Sequence, residues 1–325
     1  MLDADTARQL LATMWTIRAF EERLTELVAS KQFAGLVHVA IGQEATATGV
    51  CSVLRADDYV YASHRPDGHF IARGADLARM MAELAGRASG YCRGKGGSMH
   101  LVAVERGLLG ATGIVGGNIP LALGTALACQ ERGAGQVVVV FFGDGAANAG
   151  YFHESLNLAS LWRLPVVLVC ENNGYAEFTP LSAHTLVERL ATHAERFQIP
   201  TATIDGNDVL AVRDAAAEAV SRARTGGGPT FLECLTYRLS GHYVGDPQRY
   251  RQAAELAEWR ERDPIARFQR YLEATGLAAS VDAAALEQAA RARVEAAVRF
   301  ALESPWPEPE EVATQVWAAP REEGA

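Results

Sequence analysis

The sequence predicts an α/β protein built on a doubly wound, mostly parallel sheet flanked by helices, and three observations support this prediction. Residues 137–142 are a continuous apolar run that ends in a Gly-Asp-Gly turn at 143–145. Residues 164–170 are a second apolar run, which ends in Glu-Asn-Asn at 171–173. Apolar residues at helical spacing separate the two runs, so the segment predicts a strand-helix-strand unit whose strands are parallel.

The rest of the chain predicts helices alternating with strands, and no linker divides it. Apolar spacing or small residues predict helices over residues 4–32, 45–53, 75–86, 118–131 and 208–224, the last with Asn207 as its N-cap. Apolar runs predict strands at 201–205 and 229–237, and residues 58–63 are a short apolar segment. Helices over about 252–302 precede a stiff acidic segment. We therefore expect one domain over residues 1–325, with a helical C-terminal segment from about 252 and a few disordered residues at its end.

Composition narrows the classes of protein to which the chain can belong. It has 325 residues, of which 49% are hydrophobic, and a formal net charge of −9, which argues against nucleic acid as a main partner. No apolar run approaches the length of a membrane span, and the N-terminus lacks the apolar core of a signal peptide. The five cysteines are scattered without a Cys-x-x-Cys pair, which predicts free thiols in a reducing, cytoplasmic location.

Polar residues end both strands of the strand-helix-strand unit. Because parallel strands place their carboxyl ends side by side, we expect Asp144 and Asn173 at the same edge of the sheet. A carboxylate and an amide carbonyl are hard oxygen ligands suited to Mg²⁺. A metal ion held there could bind a diphosphate in the crevice outside the strand ends. The pattern therefore predicts a metal-diphosphate site.

Two other interpretations fit parts of this pattern. A dinucleotide site would explain the strand, the glycines and the acidic residue Glu171 at the end of the next strand. However, Asn148 stands where that fingerprint needs Gly or Ala, and the Asp144 carboxylate would repel a pyrophosphate unless a cation intervened. A hairpin turn at Asp-Gly is the plainer alternative, but an apolar run precedes this turn and a predicted helix follows it.

Several ordered motifs carry a resemblance to a known family. The segments Gly-Asp-Gly-Ala-Ala-Asn and Asn-Asn-Gly-Tyr are similar to a thiamine-diphosphate motif. Over about residues 5–315, the chain resembles the alpha subunit of the thiamine-diphosphate-dependent decarboxylating component of 2-oxo-acid (pyruvate or branched-chain) or acetoin dehydrogenase complexes. The resemblance implies a transketolase-like, thiamine-diphosphate-binding fold. The further matching motifs are residues 38–44, 63–69, 93–100, 113–117 and 236–246.

The resemblance implies that thiamine diphosphate and Mg²⁺ are the cofactors, and it indicates which residues bind them. Asp144, Asn173 and the backbone carbonyl of Tyr175 would hold the metal. Gly145 and Ala146 would offer backbone N–H groups to the diphosphate at a helix start. The remaining positions are His64, Arg65 and Arg238 on the diphosphate side, and Gly113 and Val115 beside the aminopyrimidine ring.

Two histidines are the predicted catalytic residues. His242 lies in a polar, glycine-flanked loop after the strand at 229–237, and this loop is a candidate lid over the cofactor. The resemblance places His242 near the bound cofactor, the reacting centre and the lipoyl acceptor, and it places His38 near the substrate carboxylate. Near neutral pH either imidazole could donate or accept a proton, although a structural role is the alternative for both. Structural roles are predicted for His100, His153, His184 and His193.

Three positions depart from the family pattern. Asp67 stands where the family often has histidine, and we expect its opposite charge to alter substrate preference. Ser240 replaces a second histidine that commonly precedes the one at His242. Tyr243 occupies the position of a serine that is phosphorylated in some relatives, so we do not expect that form of regulation. The segments around Arg65 and His242 are more similar to acetoin-type members than to mitochondrial pyruvate-type members.

The resemblance also implies partner proteins. In this family the glutamate that activates the cofactor lies on a separate beta subunit, so we expect an α₂β₂ heterotetramer and an inactive isolated chain. The expected reaction is decarboxylation of a 2-oxo acid or cleavage of acetoin, followed by acyl transfer to a lipoyl-bearing acyltransferase. The alternatives are a non-oxidative thiamine-diphosphate lyase, ligase or transketolase-like half, an NAD-binding dehydrogenase and a non-catalytic subunit.

Overall fold

A six-stranded parallel sheet forms the centre of the protein in the computed structural model, which describes residues 2–317. The strands are β1 (Tyr59–Ala62), β2 (Leu108–Ala111), β3 (Val138–Gly143), β4 (Val166–Asn172), β5 (Tyr175–Ala176), β6 (Thr179–Pro180), β7 (Thr201–Asp205) and β8 (Thr230–Leu235). Their order in the sheet is β2-β1-β3-β4-β8-β7. The two remaining strands, β5 and β6, form a separate antiparallel hairpin.

The predicted doubly wound parallel sheet is confirmed, because all neighbouring strands of the main sheet are parallel. The predicted strands at 201–205 and 229–237 correspond to β7 and β8, and the apolar segment at 58–63 contains β1. β2, an edge strand of four residues that pairs irregularly with β1, was not predicted. β5 and β6 were not predicted either, because strands of two residues leave no alternating pattern.

The helices flank the sheet, and their positions agree with the predicted ones to within a few residues. They are α1 (Ala4–Ala29), α2 (Glu44–Cys51), α3 (Asp67–Ala72), α4 (Leu77–Leu84), α5 (Asn118–Arg132), α6 (Gly150–Leu161), α7 (Leu181–His184), α8 (Ala191–Glu195), α9 (Val209–Arg224), α10 (Ala253–Glu261), α11 (Pro264–Ala274) and α12 (Ala283–Glu303). The short helices α3, α7 and α8 were not predicted, since fewer than two turns carry little periodic signal.

The predicted N-cap of α9 is wrong by one residue. Asp208 caps the helix, because its carboxylate accepts hydrogen bonds from the backbone N–H groups of Leu210 (3.0 Å) and Ala211 (3.1 Å). Asn207 is buried instead, and its side chain binds the Arg262 carbonyl and the Thr236 hydroxyl. Both residue types cap helices well, but a carboxylate also interacts favourably with the positive end of the helix dipole.

Both faces of the sheet are covered, which explains why its central strands are apolar throughout. Along β3, Val138, Val140 and Phe142 face a layer that contains α5, α6 and α8. Val139 and Phe141 face the opposite layer, which contains α1, α2, α4, α9 and α12. Alternation of side chains along the strand therefore supplies both hydrophobic cores from one short segment.

The C-terminal helices α10–α12 occupy the predicted helical segment, and α12 packs against α1 and α4. This packing supports a single domain over the whole chain, which stays a prediction. The predicted disorder at the end of the chain concerns residues that lie outside the described ones. Within residues 2–317, no helix is both long enough and apolar enough to cross a membrane.

Candidate active site

A cavity of about 390 Å³ opens at the carboxyl edge of the sheet, where ligands of open α/β sheets bind. Segments that follow five of the six strands form most of its wall. Residues 63–65 follow β1, residues 112–116 follow β2, and residues 144–146 follow β3. Asn173 follows β4, and Arg238 lies three residues beyond β8. The order of the strands therefore brings together residues that lie far apart in the sequence.

Every predicted site residue lines this one cavity. The structure therefore agrees with the predicted location of these residues, while their chemical roles stay predictions. They are His38, His64, Arg65, Gly113, Val115, Asp144, Gly145, Ala146, Asn173, Tyr175, Arg238 and His242.

Asp144, Asn173 and Tyr175 supply oxygen atoms, and we call them the oxygen group. The Asp144 side chain is buried, and its Oδ2 lies 3.2 Å from Nε2 of His184. Asn173 Oδ1 accepts a long hydrogen bond from the Tyr175 N–H (3.3 Å), and its Nδ2 donates to Gln43 Oε1 (3.2 Å). These hard donors suit Mg²⁺, which typically combines one or two carboxylates with phosphate oxygens and water. The described residues contain no cluster of three or more His, Cys, Asp or Glu that could hold a metal without such additional ligands.

The turn after β3 differs in one respect from the prediction. A short 3₁₀ turn spans Asp144–Asn148, and α6 begins only at Gly150, because Ala149 has an extended backbone. Gly145 and Ala146 therefore lie in this turn and not at the start of the helix. A Cβ atom on Gly145 would lie 2.9 Å from Cβ of Ala176, so the close approach of β5 requires glycine here.

Arg65, Arg238, His38, His64 and His242 form a basic group in the same cavity. Arg65 donates to the carbonyls of Val39 (2.6 Å) and His242 (2.8 Å), and Arg238 donates to the Glu177 carbonyl (3.0 Å). Both arginines are buried, and neither forms an ion pair with a carboxylate within residues 2–317. Buried positive charge without an anionic partner is costly, so this part of the cavity is suited to an anion.

The three imidazoles of the basic group are in mutual contact and are held neutral. The ring centroid of His38 lies 5.0 Å from that of His64 and 4.9 Å from that of His242. Burial, reinforced by the nearby Arg65, lowers the pKa of His38 to about 4 and that of His242 to about 3. The pKa of His64 is lowered for the same reasons. Burial and repulsion from Arg238 also lower the pKa of Arg65 to about 9.

The neutral form of His242 carries its proton on a defined nitrogen. Its Nδ1 lies 3.0 Å from Arg65 Nη2 and 3.3 Å from Arg238 Nη1. Guanidinium groups can only donate hydrogen bonds, so Nδ1 must be the acceptor. The proton of the neutral ring is therefore on Nε2.

The loop that carries His242 is held by Asp246, which the sequence motif contained but which was not predicted to act in the site. Its Oδ2 accepts from the His242 N–H and from the Tyr250 hydroxyl, both at 2.7 Å. A backbone hydrogen bond from Val244 to Val37 (3.0 Å) attaches the loop to the segment before His38. The loop is thus attached to the segment before His38, and its role as a lid stays a prediction.

Several residues in or near the cavity were not predicted from the sequence, or were predicted to have another role. His184 was given a structural role, yet it lies against Asp144 and its Nδ1 is 2.8 Å from Asn148 Nδ2. Its helix, α7, is too short to signal its position in the sequence. Gln43 and Met99 also line the cavity; both lie in matching motifs, at 38–44 and 93–100, but neither was predicted as a site residue. His153 and His193 form an edge-to-face pair 5.2 Å apart against Phe152 and do not line the cavity.

The position of Asp67 does not support its predicted effect on substrate preference. It is fully buried in α3 and does not line the cavity, so it has no direct route to a substrate. Neither of its carboxylate oxygens has a hydrogen-bond partner within the described residues, and burial raises the pKa of this carboxyl to about 7. The buried hydroxyl of Ser240, another departure from the family pattern, also has no hydrogen-bond partner within the described residues.

Comparison with known proteins identifies the family. Residues 12–310 match the family described as dehydrogenase E1 component. The chain belongs to this family. This E1 chain is 45% identical to the alpha subunit of acetoin:2,6-dichlorophenolindophenol oxidoreductase from Bacillus subtilis over 319 residues, which are 98% of this chain and 95% of that protein.

Two further relatives extend the comparison. The same-named alpha subunit from Cupriavidus necator is 43% identical over 98% of this E1 chain and 96% of its own length. The alpha subunit of the pyruvate dehydrogenase E1 component from Zymomonas mobilis is 40% identical over 97% of the chain and 89% of its own length. The predicted resemblance to E1 alpha subunits is therefore confirmed, and with it the prediction of an oxidoreductase. Because the E1 family implies thiamine diphosphate, it also favours the diphosphate site over the dinucleotide alternative.

Proposed function

We propose that this chain is the alpha subunit of a thiamine-diphosphate-dependent dehydrogenase. In this proposal it cleaves acetoin or decarboxylates a pyruvate-like 2-oxo acid, and the acyl group passes to a lipoyl-bearing acyltransferase. One observation carries the proposal: a single cavity combines the oxygen group with two buried arginines that have no carboxylate partner within residues 2–317. A diphosphate bound through a divalent cation would satisfy both groups.

Each part of the cavity has a proposed binding task. Asp144, Asn173 and the Tyr175 carbonyl would hold Mg²⁺, because their oxygens are of the type that this ion prefers. The N–H groups of Gly145 and Ala146 would face the diphosphate. The remaining proposed contacts are His64, Arg65 and Arg238 with the diphosphate, and the backbone of Gly113 and Val115 with the aminopyrimidine ring.

Thiamine diphosphate supplies a nucleophilic thiazolium carbon when it is bound, and the protein orients it. His242 would donate a hydrogen bond from Nε2 to a substrate oxygen, since Nδ1 already accepts from Arg65 and Arg238. His38 is also a neutral imidazole that lines the cavity, and it would form a hydrogen bond with the substrate carboxylate or carbonyl. The Asp246-bound loop would keep His242 in place and water out.

An exposed apolar surface supports the proposed beta subunit. The outward face of α5 carries small and apolar residues, namely Pro120, Leu121, Gly124, Leu127 and Ala128. At the mouth of the cavity, Ile114 and Val115 are also more than half exposed. Contiguous apolar surface of this kind usually marks a protein interface. We propose that a beta subunit covers it within an α₂β₂ heterotetramer and supplies the acidic group that activates the cofactor.

The acetoin-type relatives make acetoin the first substrate to test, because two of them are more similar to this chain than the pyruvate-type relative is. Cytoplasmic location stays a prediction, and the five unpaired cysteines are compatible with it.

The proposal is tested by turnover of the chain purified together with the product of a neighbouring beta-like gene. Reduction of 2,6-dichlorophenolindophenol would be followed with acetoin, pyruvate and branched 2-oxo acids, with thiamine diphosphate and Mg²⁺ present. We expect reduction with at least one substrate, and only when both chains and both cofactors are present. Cofactor binding without dye reduction would favour the non-oxidative alternative, and turnover by the isolated chain would contradict the two-subunit proposal.

A further inference from the structure

Glu83 lies at the end of α4 and holds the glycine-rich loop that follows the helix. Its side chain is fully buried. Oε2 accepts hydrogen bonds from the backbone N–H groups of Cys92 (2.8 Å) and Gly94 (2.9 Å). Oε1 accepts from those of Gly96 (2.8 Å) and Gly97 (3.1 Å). One carboxylate therefore binds four N–H groups of a single six-residue stretch.

This position is electrostatically unfavourable for a carboxylate unless the loop compensates it. Glu83 is in the last turn of α4, where the helix dipole repels negative charge. Within residues 2–317 it forms no ion pair, and the nearby Arg79 and Arg93 pair with Glu105 and Glu311 instead. The four N–H groups are thus what stabilises the buried charge, as backbone amides do in other anion-binding loops.

The glycines of the loop are required by this arrangement. A Cβ atom on Gly90 would lie 2.3 Å from Oε2 of Glu83, and one on Gly96 would lie 2.7 Å from the His100 carbonyl. Gly94 and Gly97 have positive φ angles of 76° and 64°, which favour glycine. The loop can close around the carboxylate only because these positions lack side chains.

The far end of the loop reaches the active-site cavity. A 3₁₀ turn at Ser98–His100 directly follows Gly97, and Met99 of this turn lines the cavity. Met99 Sδ lies 3.7 Å from the point where a Cβ of Gly113 would be. Gly113 belongs to the wall segment proposed to meet the aminopyrimidine ring. The position of Met99 in the wall therefore depends on a loop that is anchored by Glu83.

We propose that Glu83 is a positioning residue of the active site, which places Met99 in the cavity wall by binding the four N–H groups of the loop. This inference rests on the proposed function for its effect on turnover. Its effect on the loop itself does not depend on that function.

The same loop offers a matched control on its outer side. Arg93 forms a bidentate ion pair with Glu311, and Lys95 Nζ donates to the Thr314 carbonyl (3.0 Å). These contacts are solvent-exposed, and surface ion pairs contribute little to stability. Glu311→Gln therefore removes a glutamate contact to the loop without changing its inner attachment.

The first experiment compares Glu83→Gln and Glu311→Gln in the complete complex with the beta subunit. Hydrogen exchange of a peptide covering residues 90–98 should accelerate at least tenfold in Glu83→Gln, because an amide group cannot accept four N–H bonds. In Glu311→Gln the exchange rate of the same peptide should stay within twofold of the wild-type rate. Glu83→Asp keeps the charge and should give an intermediate rate, and it replaces Glu83→Gln if that variant does not assemble. Unchanged exchange in the variants at Glu83 would overturn the inference.

The second experiment asks whether Glu83 acts through Met99. Met99→Ala should lower kcat/KM for the substrate at least fivefold in the wild-type background and less than twofold in Glu83→Gln, where Met99 is already displaced. If Met99→Ala instead lowers kcat/KM by the same factor in both backgrounds, the two residues act independently. Glu83 would then have a general structural role, and the proposal would be overturned. If the wild-type complex turns over no substrate, the proposed function fails separately, and the same comparison is made on the Kd of thiamine diphosphate with Mg²⁺.

Discussion

The oxygen group and the basic group share one cavity but differ in how the protein satisfies them. In the oxygen group, an imidazole (His184) faces Asp144 and the side-chain amide of Gln43 faces Asn173. The basic group consists of two buried guanidiniums and three neutral imidazoles, with backbone carbonyls as its main acceptors. One side therefore offers oxygen atoms to a cation, and the other offers positive charge to an anion.

This difference indicates the kind of ligand for which the cavity is built. A free anion would leave Asp144 without a counter-charge, and a metal ion alone would add to the positive charge of Arg65 and Arg238. The proposed ligand, a diphosphate that carries a divalent ion, would satisfy both groups at once. We therefore expect changes in the two groups to have different consequences for metal dependence, for catalysis and for stability.

The largest effect is expected for Asp144→Asn, which removes the single carboxylate of the oxygen group and keeps its shape. Turnover by the complex should fall at least about 10³-fold, which corresponds to several kcal/mol of lost charge stabilisation. Titration with Mg²⁺ should show a much weaker affinity, with half-saturation at a higher Mg²⁺ concentration. Asp214→Asn on the exposed face of α9 is the control. An unchanged Mg²⁺ dependence in Asp144→Asn would remove the oxygen group from the proposed metal site.

His242→Ala tests the basic group at its centre and should have the next largest effect. Loss of a hydrogen-bond donor that faces a developing negative charge lowers kcat by about 10²–10³-fold. Because Arg65 and Arg238 remain, binding of thiamine diphosphate should change far less than kcat does. His153→Ala, outside the cavity, should leave both quantities unchanged. A loss of cofactor binding equal to the loss of kcat would show that His242 binds the cofactor without acting on the substrate.

Asp67→Asn tests a buried carboxyl that does not line the cavity and should affect stability more than turnover. The folded-state pKa of Asp67 is raised from 3.8 to about 7. Its contribution to stability is therefore full below about pH 4 and is lost as the pH rises through 7. At pH 8 Asp67→Asn should raise the free energy of unfolding by a few kcal/mol, at about 1.4 kcal/mol per pKa unit. Thermal unfolding at pH 5 should show a much smaller difference, and an equal gain at both values would contradict the assigned pKa.

The smallest effect is expected for Tyr175→Phe. The substitution removes the hydroxyl that binds Glu255 (2.7 Å) but keeps the backbone carbonyl proposed as a metal ligand. Stability should fall by about 1 kcal/mol, and turnover should change by less than about threefold. Glu255→Gln removes the charge from the same contact and should behave similarly. A marked change in Mg²⁺ affinity in Tyr175→Phe would show that the side chain, and not only the backbone, matters to the oxygen group.

Part of the site could be predicted from the residues alone. Asp144 and Asn173 follow two apolar runs, and parallel pairing of those strands is sufficient to place them together. Arg238, Val115 and His38 carry no such signal, since nothing in their local pattern shows that their segments meet at the same edge. Their placement depended on the resemblance to a family, and the structure brings them to the same cavity.

Other features could not be predicted, because they depend on contacts between distant segments. Glu83 lies in a segment whose apolar spacing predicted an ordinary amphipathic helix, and only the folded loop shows that its carboxylate is turned inward. His184 lies in a single helical turn that leaves no periodic pattern. At the start of α9, Asn207 and Asp208 are both good capping residues, and the choice between them is made by the burial of Asn207 against Arg262 and Thr236.

The two buried arginines also connect this protein to the nutritional state of the cell. Arg65 and Arg238 are like charges held away from water, and a bound diphosphate relieves that repulsion only in the folded state. A ligand present at a hundred times its Kd adds about 2.7 kcal/mol to the free energy of unfolding. We therefore expect the amount of folded enzyme, and not only its activity, to follow the supply of the vitamin from which its cofactor is made.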